Sequence, residues 1–325
     1  MFFELAIYQL ISPAALITFI TPKFYLLNKD DEEMRKTFLN KLHIRSLAAC
    51  NPFETAVTEN VITIVDSGTP ERESIPAYKY NLNKGRFEPL FPINVPYCKS
   101  NQLSEIIMDM NPQDIALLSK MRGEHRLLAE YTTSKRGAEV SKKVLRTTDN
   151  GHKALIGLDV KKYRICWDGT YLSKNDDEFA RLSAYFEKPM IYLRRVDSCL
   201  EAAYSDAGYA FNKNIYGITL RGDSRVSIEY ILAILNSNAA DYYYKKRFTL
   251  KKEEAFPEIQ TYLYEQLPIP IPESQVQNKI ETLVHEILSE TEDTMYEGLI
   301  REIDRQVYCV FGLSDEEISF IEDNH

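Results

Sequence analysis

The side chains in this sequence best suited to chemistry are basic, and they fall into three groups. Tyr131-Thr132-Thr133-Ser134-Lys135-Arg136-Gly137-Ala138-Glu139 precedes Ser141-Lys142-Lys143. This stretch is short, polar and rich in donors, and its glycine lets backbone approach a ligand closely. Lysine and arginine hold phosphates; arginine also forks onto guanine, and glutamate accepts from cytosine. Arg194-Arg195 follows a strand-like run, and Lys245-Lys246-Arg247 with Lys251-Lys252 closes a helical one. Any one cluster could be plain solubilising charge. Three within one stretch of an otherwise acidic chain weaken that explanation.

A second chemistry has a weaker pattern. Asp149 followed by Asp159-Val160-Lys161 has the form of an acidic pair plus lysine that would hold a divalent metal and a water beside a phosphate, as in a nuclease. Acid-rich sequences match so loose a pattern by chance. No glycine-rich phosphate loop, no H-E-x-x-H and no G-x-S-x-G occurs. The five histidines are scattered, and the five cysteines show neither paired nor metal-ligand spacing. Reduced thiols in a cytoplasmic protein fit best.

The elements that must position these groups differ along the 325 residues, which suggest two domains. Net charge is −9, but it is segregated. Residues 1–119 hold 11 Lys/Arg and 14 Asp/Glu, residues 120–252 hold 25 and 16, and residues 253–325 hold 3 and 18. Screening confines each charge to about 10 Å at ordinary salt, so the middle segment can present a positive face despite the total.

The apolar start, broken by Glu4, Gln9 and Ser12-Pro13, is short of a membrane span. It reads as a helix over 2–10 and a strand over Leu16–Ile20. A helix follows over Asp30–Leu42, its acidic start complementing the helix dipole, then strands near Ile44–Ala48 and Val61–Val65 of a largely buried sheet. Residues 67–119 are proline-rich and read as a connecting segment with one helix near Leu103–Met108. Residues 120–272 read as a mixed domain, with strands over Tyr163–Trp167, Met190–Arg194 and Tyr216–Leu220 and a helix over Ile228–Lys245. Alternating prolines at 268, 270 and 272 end it. Residues 273–325 form a helical tail, whose last helix opens on the capping-box spacing Ser314–Glu317.

In order and spacing, these landmarks resemble the C-terminal portion of TaqI-type adenine-specific DNA methyltransferases, including type IIG restriction-modification enzymes. Leu16-Ile17-Thr18-Phe19-Ile20-Thr21-Pro22-Lys23-Phe24 with the Met34-Arg35 helix looks like the stretch after that family's catalytic Asn-Pro-Pro-Tyr motif. Asn51-Pro52-Phe53-Glu54 and Val61-Ile62-Thr63-Ile64-Val65 resemble its later strand pair, and Lys135-Arg136-Gly137-Ala138-Glu139 the opening of its target recognition domain. Leu155-Ile156-Gly157-Leu158-Asp159-Val160 and Leu235-Asn236-Ser237 are similar to further landmarks. Ala255-Phe256-Pro257-Glu258-Ile259 before Leu267-Pro268-Ile269-Pro270 is the most specific, and Ile303-Asp304-Arg305-Gln306-Val307-Tyr308 matches the usual tail.

The resemblance implies an α/β plus α+β architecture. Residues 1–66 would be the C-terminal part of a Rossmann-like methyltransferase sheet, 67–119 a connector, 120–272 a target recognition domain and 273–325 the tail. The cofactor loop for S-adenosylmethionine and the Asn-Pro-Pro-Tyr motif are not in this sequence. Catalysis is therefore expected only with the missing half, and residues 1–66 are expected to need that half, or a second copy, to cover an open sheet edge. By resemblance Phe53 would pack on a flipped adenine. Lys135, Arg136, Glu139, Lys142 and Lys143 would read double-stranded DNA, while Arg194, Arg195, Lys245, Lys246 and Arg247 would mainly hold phosphates. The alternatives are a metal-dependent nuclease using Asp149, Asp159 and Lys161, or a non-catalytic assembly subunit docking through its acidic tail.

Overall fold

A computed structural model describes residues 5–6, 15–51, 59–66, 72–139, 145–146, 151–173, 185–186, 188–196, 199–206, 208–222, 224–248 and 258–324. The chain falls into two compact units, Met1–Ser119 and Lys120–His325. The expected helix over 2–10 lies almost wholly outside the described residues, as does Phe53.

The first unit contains β1 (Leu16–Pro22), α1 (Glu32–Asn40), β2 (His43–Cys50), β3 (Asn60–Asp66), β4 (Ala77–Asn81) and β5 (Arg86–Pro89). Its sheet has the order β1-β3-β2-β4-β5. β3 runs antiparallel to both neighbours, β2 pairs with β4 in parallel, and β4–β5 is a hairpin. The sheet is thus mixed rather than a run of parallel strands. Phe38 and Leu39 of α1 share one apolar core with Ile44, Leu47, Val61 and Val65. The largely buried sheet expected here holds for β2 and β3 but not for β1. As an edge strand it alternates exposed and half-buried residues, leaving Leu16 59% and Ile20 45% exposed.

Arg35 of α1 is fully buried. Its guanidinium donates to the carbonyl of Leu103 from both Nε (3.1 Å) and Nη2 (2.8 Å), and from Nη1 to those of Tyr25 (2.7 Å) and Asn28 (2.6 Å). One side chain therefore ties two backbone segments, residues 25–28 and Leu103, to α1. The helix expected over Leu103–Met108 does not form, and Ser104 and Asp109 adopt positive φ of 51° and 61°. The helices lie on either side, α2 (Val95–Ser100) and α3 (Pro112–Arg122). The Asn94 side chain caps the first and Asn111 accepts from Asp114 N at the start of the second.

The second unit begins with β6 (Arg126–Leu127), β7 (Thr132–Arg136), β8 (Leu145–Arg146), β9 (Gly151–Leu155), β10 (Val160–Lys161), β11 (Arg164–Ile165) and β12 (Tyr171–Ser173). It continues with β13 (Met190–Arg194), β14 (Ala202–Ser205), β15 (Ala210–Phe211) and β16 (Ile215–Leu220). One four-stranded sheet is antiparallel, in the order β14-β13-β16-β7; the other runs β8-β12-β9-β15. A single apolar core joins them, with Met190, Tyr192 and Ala203 from the first sheet and Ala154, Leu155, Leu172 and Phe211 from the second. Gly217 sits opposite Tyr192 in the register. A Cβ there would lie 2.6 Å from Phe211 Cζ, so the glycine makes room for the ring that joins the sheets.

The single helix expected over Ile228–Lys245 is two, α4 (Ile228–Asn236) and α5 (Asn238–Phe248). Ser237 separates them in extended conformation (ψ 148°), and its Oγ accepts from Ala240 N (3.1 Å), so it caps the second helix. Beside it the buried Asn236 amide both accepts from Ala202 N and donates to Ala202 O (2.9 Å each), pinning the helix end to β14. The strand expected over Tyr163–Trp167 is only Arg164–Ile165, because Tyr163 takes φ 60° in the β10–β11 turn.

β17 (Pro268–Ile269) pairs with β6 and precedes α6 (Ser274–Ser289), α7 (Asp293–Val310) and α8 (Asp315–Asp323). The Ser314–Glu317 capping box opens α8 as its spacing predicts. The tail is stitched to the β10–β11 turn: the Arg164 guanidinium lies 3.5 Å from the Tyr296 ring centroid and pairs with Asp293 (2.9 Å), and Tyr296 OH donates to Lys162 O. Among the described residues no helix is long and apolar enough to cross a membrane.

Candidate nucleic-acid interface

Three stretches far apart in sequence converge at the end of β7. Past Arg136 the chain leaves the sheet edge, where Gly137 N donates to Ile215 O (3.1 Å) and Ala138 N to Phe211 O (2.9 Å). Lys213 N returns a bond to Ala138 O (2.8 Å), and Asn212 N donates to Leu155 O (3.2 Å). Residues 136–139, 155–158 and 211–215 are thereby locked side by side. Gly137 is required at this crossing, since a Cβ would stand 2.2 Å from Asn212 O and 2.5 Å from Phe211 O, both rigid backbone atoms.

Exposed charge gathers on this crossing. Lys135 and Arg136 are exposed; Lys135 Nζ lies 5.2 Å over the Tyr185 ring, and Arg136 Nε reaches Lys213 O at 3.4 Å. Lys213 Nζ pairs with Glu139 (2.8 Å). That hydrogen bond, aided by the charges of Lys213, Arg136 and Arg195, holds the Glu139 carboxyl below the usual carboxylate range. The pair is solvent-exposed, so it contributes little to folding and can be exchanged for a ligand at small cost. Lys213 was not among the expected contacts. Alone between two asparagines it carries no linear signal, and only the strand crossing brings it beside residues 135–139.

The other expected contacts divide. Lys142 and Lys143 lie outside the described residues. Arg194 and Arg195 are each 8% exposed and serve the fold, which corrects their expected place on phosphates. Arg194 pairs with Glu201 (2.8 Å); Arg195 pairs with Glu258 and donates to Tyr216 OH (3.2 Å). Ile259 N donates to Arg195 O (2.7 Å), so this arginine fastens the 258–259 segment onto β13. Arg247 is likewise buried, donating to Tyr243 OH (2.6 Å) and Gln266 Oε1 (3.2 Å). Lys245 pairs with the buried Asp241 (2.6 Å), and Lys246 lies 5.5 Å from the Tyr242 ring centroid. Basic side chains near strand and helix ends look alike in sequence whether they face solvent or a buried carboxylate.

The nuclease arrangement is not assembled by Asp159 and Lys161. Asp159 is buried and its Oδ2 accepts from Ile156 N (2.8 Å), capping the 3-10 turn Gly157–Asp159; burial raises its carboxyl above the usual range. Lys161 Nζ lies 3.6 Å from Glu201 instead, and Asp149 is outside the described residues. Among the described residues no three His, Cys, Asp or Glu side chains are grouped to hold a metal. Asp159→Ala is expected to lower stability by about 0.5–2 kcal/mol, as loss of a capping side chain does. Thermal unfolding reads this directly, and an unchanged midpoint would remove the capping role.

S-adenosylmethionine needs a carboxylate for its ribose and polar groups for its amino-acid end. One pocket among the described residues of the first unit, about 270 Å³ and lined by Phe91, Asn94, Met110 and Ile115 among others, has no charged lining residue. It does not fit that cofactor, and no methyl-transfer step follows from it.

Residues 152–269, within the second unit, match the TaqI-like C-terminal specificity domain. In sequence the chain is 22% identical over 340 aligned residues to a protein of Methanocaldococcus jannaschii named as a type II restriction enzyme and methyltransferase, RM.MjaORFECS2P. The alignment covers 96% of this chain and 29% of that protein. In structure it is similar to the type IIL restriction-modification enzyme MmeI, solved in complex with DNA, with a TM-score of 0.55 and 11% identity over 95% of this chain and 49% of that one. Similarity to the type IIG restriction endonuclease BpuSI covers 92% of this chain and 48% of the other, at 11% identity and a TM-score of 0.40. The chain thus spans under a third of the curated relative and about half of these two solved structures.

Proposed function

We propose that this chain is the target-recognition part of an adenine-specific DNA methyltransferase in a restriction-modification system. The observation that carries this is the exposed cationic crossing of Lys135, Arg136 and Lys213 in the unit whose residues 152–269 match the specificity-domain family. Lys135 and Lys213 serve as phosphate contacts that set register on the duplex, and Arg136, at the strand end, has the length and fork to read a guanine edge. Glu139 leaves Lys213 for a cytosine amine when the duplex docks. Methyl transfer to a flipped adenine belongs to the catalytic portion, on the same or a separate polypeptide, with S-adenosylmethionine bound there.

The first unit is proposed as the closing strands of that catalytic sheet. β1 and β2 run parallel to each other with β3 inserted antiparallel between them, and β1 offers an edge unpaired among the described strands, with Leu16 and Ile20 exposed. Such an edge invites the missing strands or a second copy.

A salt titration of duplex binding tests this reading. The affinity should fall steeply with salt and be indifferent to magnesium. Arg136→Ala should weaken binding by ~1–3 kcal/mol and relax one base position. Uniform weakening across sequences would move Arg136 to a phosphate. Salt-independent binding, untouched by these substitutions, would favour the assembly-subunit alternative, and magnesium-dependent cleavage the nuclease.

A further inference from the structure

Leu158 stands out on the cationic crossing. It is 66% exposed, while Leu155 and Val160 on either side are fully buried in the core that joins the two sheets. The turn that carries it is stiff, with Asp159 N donating to Ile156 O (3.0 Å) and Asp159 Oδ2 accepting from Ile156 N (2.8 Å). It also packs on the segment bearing Lys213: a Cβ on Gly157 would lie 3.4 Å from Asn214 Cβ and 3.9 Å from Arg194 Cγ. A large apolar side chain is thus held in solvent on a turn that packs against Asn214, next in sequence to Lys213, and that precedes the exposed Lys161.

We infer that Leu158 is a base-contacting residue that presses on the apolar surface of DNA bases in the duplex. The inference rests on the proposed DNA-reading role and adds to it an apolar element that charge does not supply. The cations on the segments tied to this turn, Arg136 and Lys213, fit a polyanion rather than an apolar protein patch. The stiff turn lets the side chain meet a base without first paying to order a loop. Two sources of apolar base surface exist, a thymine methyl in the major groove and an opened base step into which leucine wedges.

The full chain, wild type and Leu158→Ala, is used to select duplexes from a pool with a randomised centre. The selected duplex is then titrated by fluorescence anisotropy, with Arg136→Ala in parallel. Leu158→Ala should bind roughly 5-fold more weakly and lose preference at one position, with its salt slope and thermal midpoint unchanged. Arg136→Ala should instead lose preference at a different base position. If replacing thymine by uracil in that duplex abolishes the difference between wild type and Leu158→Ala, the contact is the methyl. If 2-aminopurine fluorescence rises on binding wild type only, the contact is a wedge. Leu158→Ala that binds and selects like wild type, while Arg136→Ala is weakened, overturns this inference and leaves the DNA-reading role standing. A chain that retains no duplex overturns both.

Discussion

Gly137→Ala is expected to destabilise the second unit by about 3 kcal/mol or more. Overpacking a core costs ~1–3 kcal/mol when side chains can shift, and more when they cannot. Here the added methyl meets the carbonyl oxygens of Asn212 and Phe211 and the carbonyl carbon of Asn212, all backbone, at 2.2 to 2.6 Å. Relief requires parting residues 136–139 from 211–215. That sacrifices the bonds from Gly137 N, Ala138 N and Lys213 N, and exposes Phe211 and Ala138, which the crossing buries. With total stabilities of about 5–15 kcal/mol, such a loss removes a large share. Trp167, the sole tryptophan, lies in this unit and reports urea unfolding. Gly222→Ala, where a Cβ meets nothing within 4 Å, should leave the midpoint near wild type. Equal midpoints for the two variants would dismiss the crossing as a constraint.

Arg35→Met should cost about 3–5 kcal/mol and act on the first unit. Methionine matches the buried stem but leaves the carbonyls of Tyr25, Asn28 and Leu103 without their donor, and an unmet buried polar group costs ~1–3 kcal/mol. Arg35→Lys should not rescue it, because an ammonium is a point donor that cannot span three carbonyls on two segments as the planar fork does. Hydrogen exchange localises the effect: amides of β2 and β3 should lose protection, while those of β13 and β16 keep it. Protection unchanged in β2 and β3 would show that the guanidinium is not what holds these segments.

Local features were legible where local physics decides them. β-branched and aromatic runs became β1, β2, β3, β13 and β16, and the Ser314–Glu317 spacing became a capping box. The Lys135–Glu139 stretch does carry exposed charge. What pattern missed was set by distant partners. Leu103–Met108 has helical spacing, yet Arg35 claims the Leu103 carbonyl and Ser104 turns to positive φ. Apolar periodicity runs through Ser237, whereas the serine hydroxyl starts a new helix there. Arg194, Arg195 and Arg247 read as free cations because Glu201, Glu258 and Gln266 lie 7, 63 and 19 residues away. Lys213 was missed for the converse reason, as its neighbours come from another strand.

The pairing of β6 with β17 has a consequence for inheritance. Arg126–Leu127 lies beside Pro268–Ile269, so the intervening 140 residues depart from and return to the same place, one strand spacing apart (about 4.8 Å). A segment with adjoining ends behaves as a cassette, replaceable by another of different length or sequence without moving the flanking chain. Recombination across those two short strands would exchange the residues proposed to read DNA and keep the two flanking strands paired.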